Sequence, residues 1–245
     1  MARGVKGRVV VVTGAASGIG AATSELLADA GAHVARLDMK WPTKTPQDST
    51  ERFLRVLDVA REAAVEQTFQ EIVGHFGCID GLATCAGITN TDNFDALDAA
   101  TFRRVYEVNV IGTFLCIKAA AAKMRQGSRI VTVSSIGGIR GGGLFGTAAY
   151  AASKGAVIAL TKNAARVLGP KGITVNCVAP GPTDTPMNAP IEADPALKKR
   201  LESLAALGRF AAPAEIGQAI VWLLSDEASF VSGATLVVDG GIVMV

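Results

Sequence analysis

Apolar runs and helical repeats alternate along this chain of 245 residues. Continuous apolar or β-branched runs predict buried strands at Arg8–Thr13, His33–Asp38, Phe53–Leu57, Ile79–Cys85, Arg129–Val133, Ile173–Ala179 and, with its turn, Ala234–Gly241. Residues at helical spacing predict helices from after Gly20 to Ala30 and over Arg61–His75, Asp98–Lys123, Ala148–Leu168 and Glu215–Leu224. Because strands alternate with helices throughout, the pattern predicts an α/β fold: a doubly wound parallel β-sheet with helices on both faces.

Several stretches interrupt this pattern. Met39–Thr50 is polar and contains Pro42 and Pro46, so any crossover helix there should be short or broken. Gln126-Gly127-Ser128 breaks the pattern before the fifth strand. Pro180–Pro195 combines prolines with polar residues, and a long loop after a strand is typical of an active-site lid. No stretch resembles a linker or a repeat, so residues 1–245 are predicted to form a single domain.

Composition limits the classes to which this chain can belong. Hydrophobic residues make up 49% of it and charged residues 19%, which favours a sizeable core over disorder. A net charge of +2 without a basic run gives no reason to expect nucleic acid or a membrane as a partner. The apolar run Val9–Val12 is too short for a signal peptide, and no stretch is long enough to span a membrane. The 4 cysteines are widely spaced and indicate neither disulfides nor a metal site, so we expect a cytoplasmic protein without a metal.

A glycine-rich turn joins the first strand to the first helix. It contains Gly14, Gly18 and Gly20, and glycine lets the main chain approach a phosphate that a Cβ atom would hold away. A strand, a glycine turn and a helix in this order place backbone N–H groups and a helix N-terminus against a pyrophosphate. The sequence therefore predicts a dinucleotide site, the alternative being an ordinary turn between a strand and a helix.

Asp38 ends the second strand at the distance beyond the glycines where a ribose-binding acid is expected, about twenty residues. A carboxylate there accepts hydrogen bonds from the adenosine ribose and repels a 2′-phosphate, which favours NAD(H) over NADP(H). Arg36 and Lys40 flank the acid and are able to serve such a phosphate, so NADP(H) stays open as an alternative. A purely structural alternative is that Asp38 caps a loop.

Tyr150 and Lys154 are spaced i and i+4 near the start of the helix Ala148–Leu168, so both project from one face. An ammonium held close favours the phenolate, and we expect it to lower the pKa of Tyr150. Ser135 follows the fifth strand, at the edge of the sheet where open α/β folds bind ligands. Hydroxyl, phenol and ammonium make an acid/base set suited to an alcohol or a carbonyl, although a Tyr-x-x-x-Lys pair alone also occurs by chance.

Taken in order, these motifs resemble the short-chain dehydrogenase/reductase family over nearly the whole chain. They are Thr13–Gly20, Asp58-Val59, Ala86-Gly87, Asn109, Ser135, Tyr150-x-x-x-Lys154 and Pro180-Gly181. The resemblance implies a Rossmann-like fold in which Tyr150 is the general acid/base and Ser135 binds the substrate oxygen. It also implies that Lys154 holds the nicotinamide ribose and lowers the pKa of Tyr150, and that Asn109 positions a water of a proton relay. The neighbouring Ser134 is expected to pack rather than to react.

The resemblance further implies an NAD site built from strand ends and loops. The expected cofactor-binding residues are Gly14, Ser17, Gly18, Ile19, Gly20, Asp38, Asp58, Val59, Ala86, Gly87, Tyr150, Lys154, Pro180, Gly181, Thr183 and Thr185. Asp58 and Val59 would border the adenine, and Thr183 and Thr185 would meet the carboxamide and the phosphates.

This chain departs from the family's usual pattern in two places. Thr84-Cys85 stands where the family usually has Asn-Asn, and the Cys85 thiol is either reactive or, as we favour, buried and inert. The segment Ile136–Thr147 is rather long and rich in glycine, and it should line a substrate pocket together with Asn90–Phe94 and Thr185–Pro195. Arg140 within it either anchors an anionic substrate or, as we favour, is solvated.

The leading functional hypothesis is an NAD-dependent dehydrogenase or reductase that acts on a small secondary alcohol or ketone. An NADPH-dependent 3-oxoacyl-carrier-protein reductase is the second, and Asp38 and the absence of a pronounced basic surface argue against it. A non-catalytic cofactor-sensing protein is the third, and the intact set of catalytic motifs argues against it. The resemblance also implies a homotetramer with the late helices and the apolar tail Val237–Val245 at its contacts.

Overall fold

A computed structural model describes residues 4–41, 48–90, 92–142 and 146–244 of the protein. Its strands are β1 (Val9–Thr13), β2 (His33–Asp38), β3 (Arg52–Val56), β4 (Ile79–Thr84), β5 (Met124–Val133), β6 (Thr174–Pro180) and β7 (Thr235–Val238). All of them pair in parallel in one 7-stranded sheet with the order β3-β2-β1-β4-β5-β6-β7. The predicted doubly wound α/β fold is confirmed.

Helices cover both faces of the sheet. They are α1 (Gly18–Asp29), α2 (Glu62–Phe76), α3 (Ala99–Tyr106), α4 (Gly112–Ala121), α5 (Ile136–Arg140), α6 (Ala148–Leu168), α7 (Ala189–Glu192), α8 (Pro195–Glu202) and α9 (Pro213–Leu224). Among the described residues, no helix has both the length and the apolar character that crossing a lipid bilayer requires.

Two apolar layers hold the helices against the sheet. All 5 residues of β1 are buried, so its side chains point alternately into the two layers. Val11 joins the layer beneath α2, α4 and α6, in which Phe69 is fully buried. Val12 joins the opposite layer, where Ile216 of α9 packs beside α1. A strand buried on both faces is what the continuous valine run predicted.

The order of the strands changes direction between β1 and β4. β2 and β3 extend the sheet from one side of β1, and β4 to β7 extend it from the other. In open α/β sheets, the crevice beyond the carboxyl ends of the strands at such a point is where ligands bind. The residues at or just past these ends include Gly14, Asp38, Ala86, Ser135 and Gly181. The topology therefore gathers the predicted site residues at one edge.

The fifth strand is longer than predicted. It begins at Met124, and Gln126-Gly127-Ser128 lies inside it rather than before it. The register between β4 and β5 shifts between Ile79 and Gly81, and Gly127 has a φ of +87°, so the polar tripeptide forms a bulge. A glycine that breaks the apolar pattern here marks an irregular strand and not its boundary.

The helix predicted over Asp98–Lys123 is not uniform. Asp98 caps α3 by accepting a hydrogen bond from the N–H of Thr101, and α4 ends at Ala121. Between α3 and α4 the chain forms a π-helical turn over Glu107–Ile111, with Asn109 at its centre. Apolar periodicity does not reveal such a turn, because it changes the winding of the helix by a single residue.

Two predicted loops contain helices. α7 and α8 follow a short 3₁₀ turn in the segment after β6, and Asp194 caps α8 with its side chain. α5 opens the glycine-rich segment, because the Ser135 hydroxyl accepts a hydrogen bond from the N–H of Gly137. Short, capped helices of this kind have too few turns to produce a readable periodicity. The interruption predicted at Pro42 and Pro46, and residues 143–145, lie outside the described residues.

Candidate active site

The glycine turn after β1 is packed too tightly for side chains. Gly14 has a φ of +66°, and a Cβ atom on it would lie 2.7 Å from the backbone nitrogen of Ala86. A Cβ atom on Gly20 would lie 2.1 Å from the carbonyl oxygen of Gly14. Only glycine fits these two positions, and the turn leaves the N-terminus of α1 at the rim of a cleft.

That cleft, of about 330 Å³, runs along the turn and the ends of β2 and β4. The predicted cofactor residues that line it are Gly14, Ser17, Gly18, Ile19, Gly20, Asp38, Asp58, Val59, Ala86, Gly87 and Thr185. Thr185 closes it from the far side, since a Cβ atom on Gly18 would lie 3.1 Å from the Cγ2 atom of Thr185. A cradle of backbone with a carboxylate at its end fits the adenosine and pyrophosphate of a nicotinamide dinucleotide. We call it the cofactor cleft.

Asp38 is held at the edge of the cofactor cleft by two loops. Its Oδ2 atom accepts a hydrogen bond from the N–H of Ala16 at 3.0 Å, and its Oδ1 atom accepts one from the N–H of Lys40 at 3.1 Å. Capping a loop and facing a ribose are therefore compatible roles for this carboxylate. Lys40 also lines the cleft, whereas Arg36 is not among the described residues that line it, and burial lowers the pKa of its guanidinium.

A larger cleft, of about 660 Å³, opens beyond the ends of β5 and β6 and shares Ile19, Cys85, Gly87 and Thr185 with the cofactor cleft. We call it the substrate cleft. Of the predicted site residues, it also contains Ser135, Tyr150, Lys154, Pro180, Gly181 and Thr183. Residues from all three segments predicted to shape a substrate pocket line it, among them Phe94, Ile136, Thr147 and Ile191. Arg140 is exposed and is not among the described residues that line the cleft, and its role toward a substrate stays a prediction.

Ser135, Tyr150 and Lys154 meet where the two clefts join. The hydroxyl of Ser135 lies close enough to the Tyr150 phenol to lower its pKa, and the Nζ atom of Lys154 lies 5.7 Å from the centroid of the Tyr150 ring. Lys154 is only 4% exposed, and its amine donates a hydrogen bond to the carbonyl oxygen of Val133 at 2.8 Å. Gly87 forms the other wall, since a Cβ atom there would lie 3.3 Å from the same amine. The predicted trio is thus assembled around a buried amine.

Helix α6 is fixed to the sheet at the level of Lys154. The hydroxyl of Ser134 donates a hydrogen bond to the backbone oxygen of Lys154 at 2.7 Å. A Cβ atom on Gly138 would lie 2.5 Å from the backbone carbonyl carbon of Lys154, so α5 and α6 touch backbone to backbone. Ser134 therefore packs and positions the helix, as the sequence suggested.

Asn109 braces the opposite side of the trio. Its amide donates to the carbonyl oxygen of Ile88 and to the hydroxyl of Ser153, both at 2.9 Å, and its Oδ1 atom accepts the N–H of Ile88 at 2.8 Å. The Ser153 hydroxyl in turn donates to the backbone oxygen of Tyr150 at 2.7 Å. Asn109 is fully buried, and its hydrogen bonds link the π-helical turn to the segment after β4 and to helix α6. Its role in a proton relay stays a prediction.

The pKa of Tyr150 does not follow the prediction. Burial raises the pKa of the phenol, while the hydrogen bond with Ser135 acts to lower it. Burial also lowers the pKa of Lys154 from 10.5 to about 8, because a charged amine is costly in an apolar site. Desolvation is therefore the largest influence on the pKa of both groups, and it outweighs the lowering of the Tyr150 pKa that was expected from the ammonium.

Comparison with known proteins decides the family. A family model described as enoyl-(acyl carrier protein) reductase matches residues 14–243. The chain belongs to the short-chain dehydrogenase/reductase family. It is 42% identical over 242 residues to a cis-4-hydroxycyclohexanecarboxylate dehydrogenase from Sinomonas cyclohexanicum, with 96% of each chain covered. It is 37% identical over 252 residues to a 3-oxoacyl-[acyl-carrier-protein] reductase from Thermotoga maritima, covering 98% of this chain and 99% of that one.

A solved structure supports the same conclusion. The short-chain dehydrogenase/reductase from Brucella melitensis described as a glucose/ribitol dehydrogenase superposes with a TM-score of 0.90 at 32% identity, and 100% of each chain is covered. The chain is therefore an oxidoreductase of this family, and the family uses a nicotinamide cofactor.

The departure from the family at Thr84-Cys85 leaves the site intact. Burial raises the pKa of the Cys85 thiol to about 12, so the thiolate needed for reactivity is scarce at neutral pH. Thr84 is buried, and the N–H of Ala86 is satisfied by the hydroxyl of Thr13 at 3.2 Å. Cys85 is partly exposed and lines both clefts, so it is less buried than the favoured interpretation expected.

Sequence reasoning missed one residue and one set of side-chain contacts in this short-chain dehydrogenase/reductase. Arg104 of α3 lines the cofactor cleft, with a guanidinium nitrogen 3.8 Å from the Oδ2 atom of Asp58. Asn90, Asp92 and Thr147, which lie in segments predicted to line a substrate pocket, form a hydrogen-bonded chain on the wall of the substrate cleft. Thr147 directly precedes α6, but its side chain makes no capping hydrogen bond with that helix. No signal in the sequence pairs it with Asn90.

The buried amine makes stability depend on pH in a predictable direction. Because the folded pKa of Lys154 is about 8 against 10.5 in the reference state, the unfolded chain holds more protons between these values. The free energy of unfolding should therefore rise with pH across that window in the wild type relative to Lys154→Met. Urea denaturation should show that the free energy of unfolding of the wild type minus that of Lys154→Met increases by about 3 kcal/mol between pH 7 and pH 10.5. Lys162→Met, at an exposed position of α6, should follow the wild type, and a Lys154→Met curve parallel to it would contradict the analysis.

Proposed function

We propose that this protein is an NAD(H)-dependent oxidoreductase that interconverts a secondary alcohol and a ketone, with Tyr150 as general acid/base. The observation that carries the proposal is that Ser135, Tyr150 and the buried amine of Lys154 line one cleft where it joins the cofactor cleft. A phenol placed at that junction faces the dinucleotide from one side and a small molecule from the other. The relative that oxidises a hydroxylated ring supports an alcohol as substrate.

Each residue of the site has a separate role in this reaction. A bound nicotinamide dinucleotide supplies the ring that takes or gives the hydride. The Ser135 hydroxyl holds the substrate oxygen beside the Tyr150 oxygen, and the phenolate form of Tyr150 removes the hydroxyl proton during oxidation. Lys154 stabilises that phenolate by charge, and its amine is kept in place by the carbonyl of Val133. Asn109 holds the segment after β4 in position through both backbone groups of Ile88.

The preference for NAD(H) is argued from Asp38. Its carboxylate is fixed at the rim of the cofactor cleft by the N–H groups of Ala16 and Lys40, so it cannot turn away without losing both bonds. A 2′-phosphate in this place would meet a fixed negative charge. Of the two basic residues that flank Asp38, Lys40 lines the cleft and Arg36 is not among the described residues that do. The alternative, an NADPH-dependent 3-oxoacyl-carrier-protein reductase, is supported by one relative but disfavoured by this carboxylate.

We also propose a homotetramer in the cytoplasm. Exposed apolar side chains lie on α4 and at the end of the π-helical turn, at Phe114 and Ile111, and on α6 at Val167. Phe230 is exposed before the tail predicted to form contacts, and Met244 is exposed within that tail, of which Val245 lies outside the described residues. Such side chains gain from burial against other copies. All cysteines of the chain are free thiols, which suits a reducing compartment.

Tyr150→Phe should remove the acid/base group without disturbing the fold. We expect kcat for NAD reduction with secondary alcohols to fall roughly 10³-fold, while NADH binding measured by fluorescence titration is nearly unchanged. Oxidation by the wild type should speed up with rising pH, because the pKa of Tyr150 is raised and the phenolate is the base. Tyr106→Phe is the matched control, since the only other tyrosine donates a long 3.5 Å bond to Ala152. Near-normal turnover in Tyr150→Phe would refute its role.

Cofactor choice follows from the charge at Asp38. NADH should bind at least about tenfold more tightly than NADPH in calorimetric titrations of the wild type. Asp38→Asn loses the charge and keeps an acceptor for one of the two loop bonds, so the difference between NADH and NADPH affinities should narrow mainly by improved NADPH binding. Asp95→Asn, an equal charge change at an exposed position outside the cofactor cleft, should leave the ratio of the two affinities unchanged. Tighter NADPH binding by the wild type would overturn the argument.

The oligomer is tested by light scattering. The expected mass is about four times the 25.2 kDa of one chain, because the exposed apolar side chains are spread over more than one surface. Phe114→Asp should lower this mass by placing a charge in a contact. A monomer mass for the wild type would contradict the proposal.

A further inference from the structure

The substrate cleft is almost free of charge. Among the described residues that line it, Lys154 is the one basic residue and Asp92 the one acidic residue. Of the side chains that the structure describes in this cleft, Asp92 is therefore the one that presents a carboxylate to a substrate.

Lys154 cannot balance that carboxylate. Its amine is buried at the junction with the cofactor cleft, where it donates to Val133 and lies against Gly87. A substrate whose hydroxyl group contacts Ser135 and Tyr150 directs its other end away from this amine. The far end of the substrate thus meets no cation on the described walls of the cleft.

Asp92 is held in place from the start of the catalytic helix. The Nδ2 atom of Asn90 donates to the Oδ2 atom of Asp92 at 3.1 Å, and the Oδ1 atom of Asn90 accepts the hydroxyl of Thr147. Thr147 is the residue directly before α6, the helix that carries Tyr150. These two hydrogen bonds hold the Asp92 carboxylate at a more constant distance from the Tyr150 phenol than a loop without them would.

The remaining wall of the cleft is apolar. It is formed after β6 by Met187, Ile191, Leu197 and Leu201, of which Leu201 is fully buried. An apolar wall binds the carbon skeleton of a substrate but offers nothing to an anionic group, whose desolvation would be uncompensated.

We propose that Asp92 makes the substrate cleft selective for neutral secondary alcohols and excludes those that carry a carboxylate at the far end. This inference rests on the proposed alcohol dehydrogenase function and names the substrate class of the same site. The exclusion has two physical sources: repulsion by a fixed carboxylate, and the absence of a cation on the described walls to pair with the anion.

The test compares two ring alcohols of nearly equal shape, cis-4-hydroxycyclohexanecarboxylate and its neutral carboxamide, in NAD-dependent oxidation. The wild type should show a kcat/KM for the carboxamide about tenfold or more above that for the carboxylate, and added salt should reduce this ratio. In Asp92→Asn the ratio should fall several-fold, because the variant keeps an oxygen for the Asn90 bond but loses the charge.

Asp95→Asn is the matched control, because Asp95 lies in the same loop, is exposed and does not line the cleft. It should leave the substrate ratio unchanged. Equal kcat/KM values for the two alcohols in the wild type, or a ratio that survives Asp92→Asn, would overturn the inference and leave the dehydrogenase function standing.

A binding measurement keeps the two proposals distinguishable. Calorimetry of the NADH complex with cyclohexanecarboxamide and cyclohexanecarboxylate should rank the amide first in the wild type and bring the two closer in Asp92→Asn. Equal affinities in the wild type would refute selection by charge whatever the turnover. Failure of every secondary alcohol to reduce NAD, with the amide still preferred in binding, would refute the proposed reaction and support the charge selection.

Discussion

The burial of one primary amine is the constraint on which this active site depends. An ammonium is costly to remove from water, so Lys154 stays in its position only because its surroundings hold it there. The carbonyl oxygen of Val133 accepts a hydrogen bond from its amine, the Ser134 hydroxyl donates one to its backbone oxygen, and the close contact of α5 with α6 leaves the helix no room to shift. Each of these contacts belongs to a different element. The contacts around Lys154 therefore connect the sheet, helices α5 and α6 and the substrate cleft.

The fold was predictable because its signals are long and periodic. The run Val9–Val12 could only be a central strand, and the helix Ala148–Leu168 was predicted with the bounds that the structure has. The trio was predictable for a related reason: its residues lie at fixed offsets from a strand end and a helix start. Spacing along a regular element translates directly into position in space.

The parts that were not predictable depend on contacts between distant segments. The π-helical turn around Asn109 has no signature in the periodicity, yet it brings that amide to the backbone of Ile88. The direction of the pKa of Tyr150 depends on how completely the cleft removes water, which spacing does not report. The hydrogen bonds that run from Thr147 through Asn90 to Asp92 join the loop after β4 to the start of helix α6. Such pairings arise only once the sheet has set the two segments side by side.

The crowding of backbone at Gly14 and Gly20 has a consequence for how this protein can diverge. Any side chain at either place would collide with main-chain atoms that no rotamer change can move. Replacements are therefore tolerated at the outer loops and forbidden at the base of the nucleotide cradle. Substitutions in the loops around the substrate cleft can therefore change which substrate binds, while the glycine turn of the cofactor cleft stays constant.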